Sequence, residues 1–334
     1  MWKKSKKGIM KVLKKKTGRD FIILNLTDPQ LGDPEWAEGH MNRRVLEYTV
    51  AQLIERIKPD LITISGDLAW ACYTHAYDLF AELLEKYQIP WAPVWGNHDN
   101  QGGAEHVEFI INRYMKYPHF LYEKGDPVLG NGNYVIAIEE EGKVVEGLIM
   151  MDSHDRDDYV NAKGEEEKVY SKLTAEQMDW YRAQIHVLKE KGCNSATLIL
   201  HIPPYAYREA SKAAYKDGID LMKVTLEEAE GTACWKEGYE DSVGVQYEGI
   251  CSYPEEDGVL AVVKEEGLTK RIIAGHDHAD NWMITYEGVQ LIYALKTGAG
   301  CYWNPLLNGG TVLKVGKDGV YEVKHEYVDA THLL

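Results

Sequence analysis

Apolar and polar positions along this chain follow two periods, and the switches between them mark the elements. Short unbroken apolar runs at Phe21–Thr27, Leu61–Ser65, Pro93–Trp95, Ala196–Leu200 and Arg271–Ala274 have strand length and predict buried strands. Between the first two, Val45, Leu46, Val50, Leu53, Ile54 and Ile57 recur at helical spacing from His40 to Lys58, and Pro59-Asp60 stops that helix. Residues 20–67 therefore read as a β-α-β unit with a right-handed crossover. Tyr77–Tyr87 predicts the next helix, ended by Ile89-Pro90, and Ala104–Tyr114 another. Asn133–Ile138 and Val144–Met151 read as a hairpin around the charged turn Glu139–Lys143. Leu173–Lys191 reads as a helix with Thr174 as N-cap, Gln177 three residues on, and Gly192 at its end. Residues 203–250 are polar and irregular, and are expected to form a lid beside a strand end. Trp282–Thr285, Val289–Ala294, Gly310–Val315 and Val320–Tyr327 predict strands completing a second sheet packed on the first.

The five buried runs share one ending. They lead into Asp28-Pro29-Gln30, Gly66-Asp67, Gly96-Asn97-His98-Asp99, His201 and Gly275-His276-Asp277-His278. One Gly-Asn-His-Asp stretch alone is an ordinary turn. Five endings that offer carboxylate, carboxamide or imidazole donors suit cations, and the carboxyl ends of strands are where open α/β sheets hold ligands. The expectation is that the five strands lie side by side in one sheet, with all five ends on one edge.

The order of these blocks resembles that of the calcineurin-like metallophosphoesterases, over roughly residues 20 to 305. The branch of purple-acid-phosphatase-like and Dcr2-type phosphatases is similar in two further places, Tyr247-Glu248-Gly249-Ile250-Cys251-Ser252 and Thr297-Gly298-Ala299-Gly300. The resemblance implies an α/β fold, a two-sheet β-sandwich flanked by helices in four α-β-β-α layers. It also implies two divalent metal ions, which sit about 3.5–4 Å apart and share a bridging ligand. That bridge falls to Asp67. Asp28, Asp67 and His278 would hold the first metal, and Asp67, Asn97, His201 and His276 the second. A hydroxide bridging the metals would attack phosphorus, with His98 as general acid for the leaving alkoxide.

Two positions depart from the family pattern. Gln30 stands where most members have His, a neutral and poorer ligand, so a weaker first site is expected. Trp70 stands where purple acid phosphatases supply a Tyr, which disfavours a tyrosinate–Fe(III) centre and leaves Mn, Zn or Fe(II). Trp70 also occupies the place of the Asp that orients the catalytic His in related Ser/Thr phosphatases, so what orients His98 is open. Asp99 and His154 are candidates for the substrate side, although residues 152–155 read equally as a solvated acidic turn.

Composition bounds the rest. The chain has 334 residues, 45% hydrophobic and 27% charged, as expected of a globular protein. We expect a basic N-terminal arm at 1–19 and one domain at 20–334. A formal net charge of −16 argues against a nucleic-acid footprint and leaves a small phosphoester or a phosphoprotein as partner. Five scattered cysteines without a Cys-x-x-Cys pair read as idle thiols in a reducing compartment. The basic N-terminus lacks the apolar core of a secretory signal. It reads as a solvated arm or as a short helix on an anionic membrane, with Trp2, Ile9, Val12 and Leu13 on one side. No run nears the roughly 20 apolar residues of a membrane span, so the expected location is cytoplasmic. The functional expectation is phosphomonoester hydrolysis. Its alternatives are a phosphodiesterase or nucleotide pyrophosphatase, and, in another class, a catalytically degenerate scaffold.

Overall fold

The apolar runs become strands because they are short, rich in Ile, Leu and Val, and bounded by Gly, Pro and Asp. The computed structural model describes residues 10–334. In chain order the strands are β1 (Met10–Lys14), β2 (Phe21–Leu26), β3 (Leu61–Ser65), β4 (Trp91–Val94), β5 (Tyr134–Glu140), β6 (Lys143–Met150), β7 (Arg156–Val160), β8 (Glu166–Tyr170), β9 (Ala196–Ile199), β10 (Thr269–Ala274), β11 (Met283–Tyr286), β12 (Val289–Tyr293), β13 (Gly309–Gly316) and β14 (Gly319–Tyr327). The helices are α1 (Met41–Ile57), α2 (Thr74–Glu85), α3 (Asn97–Asn100), α4 (Gly103–Tyr114), α5 (Ala175–Glu190), α6 (Ala206–Ala214), α7 (Leu226–Glu230) and α8 (Val259–Glu266).

Two main sheets result, of order β14-β13-β2-β3-β4 and β1-β5-β6-β9-β10-β12-β11, with β7–β8 as a separate hairpin. The sheets face each other and helices flank them, which is the expected sandwich. Residues on the seven-stranded sheet alternate between two cores. Ile136, Ile138, Leu148, Met150, Ile199, Ile273 and Ile292 belong to the core shared with the five-stranded sheet, α1, α2 and α4. Their neighbours Val135, Ala137, Ile149, Leu198, Ile272 and Leu291 pack with α5, α6 and α8. Burying each such side chain is worth about 1.5–3 kcal/mol.

The arrangement corrects several expectations. The five donor-bearing strands do not share a sheet: β2, β3 and β4 are parallel neighbours in one, and β9 and β10 are parallel neighbours in the other. Both faces of these strands are buried, so the apolar pattern carries no mark of which sheet each joins. β11 and β12 extend the seven-stranded sheet beside β10, and only β13 and β14 join β2. Met10–Lys14 pairs in parallel with β5, and the buried Lys15 Nζ meets Glu140 Oε1 at 2.8 Å. This part of the expected basic arm is a strand and neither a solvated arm nor a surface helix; residues 1–9, with Trp2 and Ile9, lie outside the described residues. The expected irregular lid at 203–250 carries α6 and α7 and a packed interior. Tyr207 Oη donates to Ile272 O at 2.9 Å, Trp235 Nε1 to Ala229 O at 2.7 Å, and both side chains are buried. Five cysteines are free, and no helix among the described residues is long and apolar enough to cross a membrane.

Candidate metal centre

Three of the five strand ends, those of β2, β3 and β10, deliver donors through short, strained turns. Asp28 (φ 53°), Gln30 (φ 42°), Asp67 (φ 49°) and His276 (φ 80°) all adopt left-handed backbone conformations, which cost non-glycine residues about 1–3 kcal/mol each and cluster at functional sites. Gly66 (φ 97°) lies against the ring of His201, where a Cβ would come within 2.5 Å of Nδ1. At Gly96 an added Cβ would collide with the Asp67 carboxylate. Glycine at these two positions lets the turns after β3 and β4 close around their neighbours' ligands.

The donors meet although they come from two sheets. Asp28, Asp67 and His278 offer ligand atoms within 4.8 Å of one another, and so do Asp67, His201 and His276. Asp67 belongs to both groups. Its Oδ1 accepts from His98 N at 2.9 Å and its Oδ2 lies 3.3 Å from His201 Nε2. Asp28 Oδ2 accepts from Thr27 Oγ1 and from His276 N at 3.1 Å, while Oδ1 lies 3.1 Å from His278 Nε2. His201 Nδ1 is 2.8 Å from Ser65 O and His278 Nδ1 is 2.9 Å from Tyr302 O. A carbonyl only accepts, so each Nδ1 carries a hydrogen and Nε2 is the nitrogen left to face a metal, the orientation a metal-binding imidazole needs.

The electrostatics call for positive charge between these groups. Burial opposes ionisation of Asp28 and Asp67, yet His278 and His201 beside the first and His201 beside the second hold both carboxyls below their usual range. His201 is likewise opposed by burial, and Asp67 and Asp28 push it up to about 10. His276 is driven the other way, to about 3, by burial and by His201, and so is a neutral donor. Asn97 Oδ1 lies 3.0 Å from His201 Nε2, so the carboxamide oxygen and the imidazole face the same space. The buried ligand atoms Gln30 Oε1 and His276 Nε2 have no hydrogen-bond partner among the described residues. Leaving buried polar groups unpaired is costly, so this donor set fits divalent cations.

Around the donors lie residues that support them, of which Gln101 and Lys296 were not singled out from the sequence. His98, half-buried on α3, approaches Gln101 Oε1 through Nδ1 at 3.1 Å, and its ring packs 4.2 Å from that of Trp70. Gln101 and Trp70 therefore fix the imidazole whose orientation was open; the three-residue spacing of His98 and Gln101 on a helical turn was the available signal. Lys296 is buried, donates from Nζ to Asp28 O at 2.6 Å, and is lowered to about 8 by burial. The stretch Tyr247–Ser252 braces the loop after β10: Cys251 N donates to Asp277, and Tyr247 N and Glu248 N donate to Asp280 Oδ1 at 2.9 and 3.1 Å. Thr297 exchanges hydrogen bonds with the backbone of Thr27, which steadies the turn at Asp28.

The two substrate-side candidates are both engaged by protein groups. Asp99 is fully buried, accepts from Gly96 N, Leu68 N and Tyr77 Oη, and is pushed up to about 7 by burial and by Asp67. It staples the turn after β4 to the turn after β3 and presents no free oxygen to a substrate. His154 Nε2 is engaged with Gln177 Oε1 at 2.8 Å, and Nδ1 lies 3.6 Å from Asp152. From that same segment the neighbouring Asp155 turns towards the site, within electrostatic reach of His98 and Asp67 and with a buried, unpartnered Oδ1.

Two facing sheets thus bring their strand ends together, with one carboxylate shared between two groups of residues that could hold metal ions. The chain belongs to the calcineurin-like phosphoesterase family, a family of phosphoric ester hydrolases with a dinuclear divalent-metal centre: residues 21–280 match the family's sequence model. It is 28% identical over 261 residues to probable inactive purple acid phosphatase 14 of Arabidopsis thaliana, across 73% of this chain and 59% of that protein. It is also 28% identical over 155 residues to phosphatase DCR2 of Saccharomyces cerevisiae, across 40% of this chain and 27% of that protein. The chain spans about three-fifths of the length of the Arabidopsis relatives it matches. A dimetal phosphatase from Danio rerio shares the fold with a TM-score of 0.56 at 16% identity, over 91% of this chain and 95% of that one.

Proposed function

We infer that this chain is a metal-dependent phosphomonoesterase. The observation that carries the reading is the shared position of Asp67 in two buried donor groups. Asp28, Asp67, His278 and the neutral amide of Gln30 would hold one cation, and Asp67, Asn97, His201 and His276 the other. Bound there, Mn, Zn or Fe(II) supplies Lewis acidity to the phosphoryl oxygens and acidifies water at neutral pH.

The protein's own part is to position and to move a proton. The Ser65 and Tyr302 carbonyls hold two imidazoles in their ligating tautomers, and the backbone N–H of His98 holds one oxygen of Asp67. With Nδ1 tied to Gln101, His98 keeps Nε2 free to protonate a leaving alkoxide, a contribution typically of about 10²–10⁴ in rate. A phosphodiester would use the same groups.

A second reading, a catalytically degenerate binding module, is favoured by Gln30 in place of an imidazole and by relatives named probable inactive purple acid phosphatases. Metal analysis of the purified protein, coupled to turnover of p-nitrophenyl phosphate and of its bis-ester with Mn, Zn or Fe added, separates the readings. Two equivalents of metal with faster monoester turnover support the phosphomonoesterase. Metal-free protein that no ion activates supports the module.

A further inference from the structure

The β7–β8 hairpin has no part in the chemistry described so far, yet its base touches the metal centre. Its register pairs Arg156 with Tyr170 at the base of the hairpin. The guanidinium lies 4.3 Å from the centre of the Tyr170 ring, and that ring meets the imidazole of His276 edge-on, 4.3 Å between centroids at 82°. A cation is thus held two contacts from a candidate ligand. The hairpin is seated on the opposite rim as well: Tyr159 Oη donates to Glu255 Oε1 at 2.7 Å and its ring packs against Tyr253.

The charges along the hairpin are not equivalent. Lys168 is neutralised by Asp158 at 2.7 Å. Asp157, Glu165, Glu166 and Glu167 are exposed towards the solvent. Arg156, exposed and resting on an aromatic face, makes no ion pair among the described residues, although its charge reaches the neighbouring Asp155 carboxylate. Stacking on Tyr170 leaves the edge of the guanidinium open. A planar fork held in this way suits a second carboxylate or phosphate, bound through paired N–H donors.

We propose that Arg156, seated on Tyr170, selects phosphomonoesters whose leaving group carries a second anionic group, a carboxylate or a phosphate. This rests on the phosphatase reading and names its substrate class. The phosphoryl group is read at the strand ends and the leaving group at the base of the hairpin. Arg156 is therefore a specificity-determining residue, and Tyr170 positions it.

The test compares 4-carboxyphenyl phosphate with phenyl phosphate on the Mn-reconstituted full chain. The expected ratio of kcat/KM favours the carboxylated ester about tenfold, the scale of one charge-assisted contact. It falls towards one in Arg156→Gln and is partly kept in Arg156→Lys. Tyr170→Leu lowers the ratio too, read only if its metal content matches that of the wild type. Calorimetric binding of 4-carboxyphenylphosphonate against phenylphosphonate measures the same preference without turnover. If neither ester is hydrolysed while Arg156→Gln abolishes the phosphonate preference, the phosphatase reading fails and the role of Arg156 stands. A wild-type ratio near one, or a ratio unchanged in Arg156→Gln, overturns the proposal.

Discussion

Gly66→Ala offers a direct test of how the two sheets assemble the centre. The new Cβ would lie 2.5 Å from Nδ1 and 2.6 Å from Cγ of His201, where ordinary contact begins at 3.4 Å. His201 must therefore retreat by nearly an ångström, and its 2.8 Å hydrogen bond to Ser65 O goes with it. A misplacement of about 1 Å costs on the order of 10² in rate where positioning carries the catalysis. At φ 97° the alanine also adds about 1–3 kcal/mol of backbone strain. His201 belongs to only one of the two donor groups. The variant is expected to lose one equivalent of metal, retain the site built on Asp28 and His278, and drop about 10²-fold in p-nitrophenyl phosphate turnover. Mass-spectrometric metal analysis after gel filtration, steady-state kinetics and a thermal melt separate displacement from unfolding. Wild-type metal content and turnover in a folded Gly66→Ala protein would refute the reasoning.

Further predictions test the proton donor, the bridge and the frame. His98→Ala should lower monoester turnover by about 10²–10⁴ with metal content intact, and Asp67→Ala should lose metal and turnover together; a metal-replete Asp67→Ala protein contradicts the shared-carboxylate assignment. Glu146 is fully buried between the sheets, accepts from Thr197 Oγ1 and Val320 N, and lies 3.6 Å from the largely buried Arg271 side chain. Glu146→Ala leaves that guanidinium uncompensated, so chemical denaturation should show a loss of about 3–5 kcal/mol. Burial lowers His325 to about 4, and its Nε2 donates to Asn281 O at 2.7 Å. The unfolded chain binds this proton first, so stability is fully present above about pH 6.5 and falls as pH drops towards 4, by up to about 1.4 kcal/mol per unit. Urea melts at pH 7 and 5 should show the wild type losing about 2 kcal/mol more than His325→Gln, and parallel losses would contradict the assignment.

Much of the fold was legible in local pattern. The capping box of α5 formed as Thr174 and Gln177 foretold, each side chain accepting from the other's backbone N–H. The hairpin β5–β6 turns at Glu141-Gly142, within the charged stretch expected to join the two strands. Other elements left weaker traces. β7 and β8 are charged and largely exposed, so no apolar alternation announced them. β1 is a lysine-rich strand whose identity comes from its pairing with β5. Asp99, a candidate for the substrate side by its place beside Asn97 and His98, clamps two backbone turns together.

The residues that can bind metal, and their places just past apolar runs, were fixed by the chain's covalent order, because an apolar run followed by Gly, Asp or His dictates a strand and its exit without reference to anything distant. Which strands would be neighbours was not. Each of the five is buried on both faces, and a buried strand pairs equally well with any partner its connections allow. Only the packed structure decided that Asp28, Asp67 and Asn97 come from one sheet and His201, His276 and His278 from the other. It also set Asp67 where both donor groups meet, a position that depends on how two sheets face each other and on two turns too tight for a side chain.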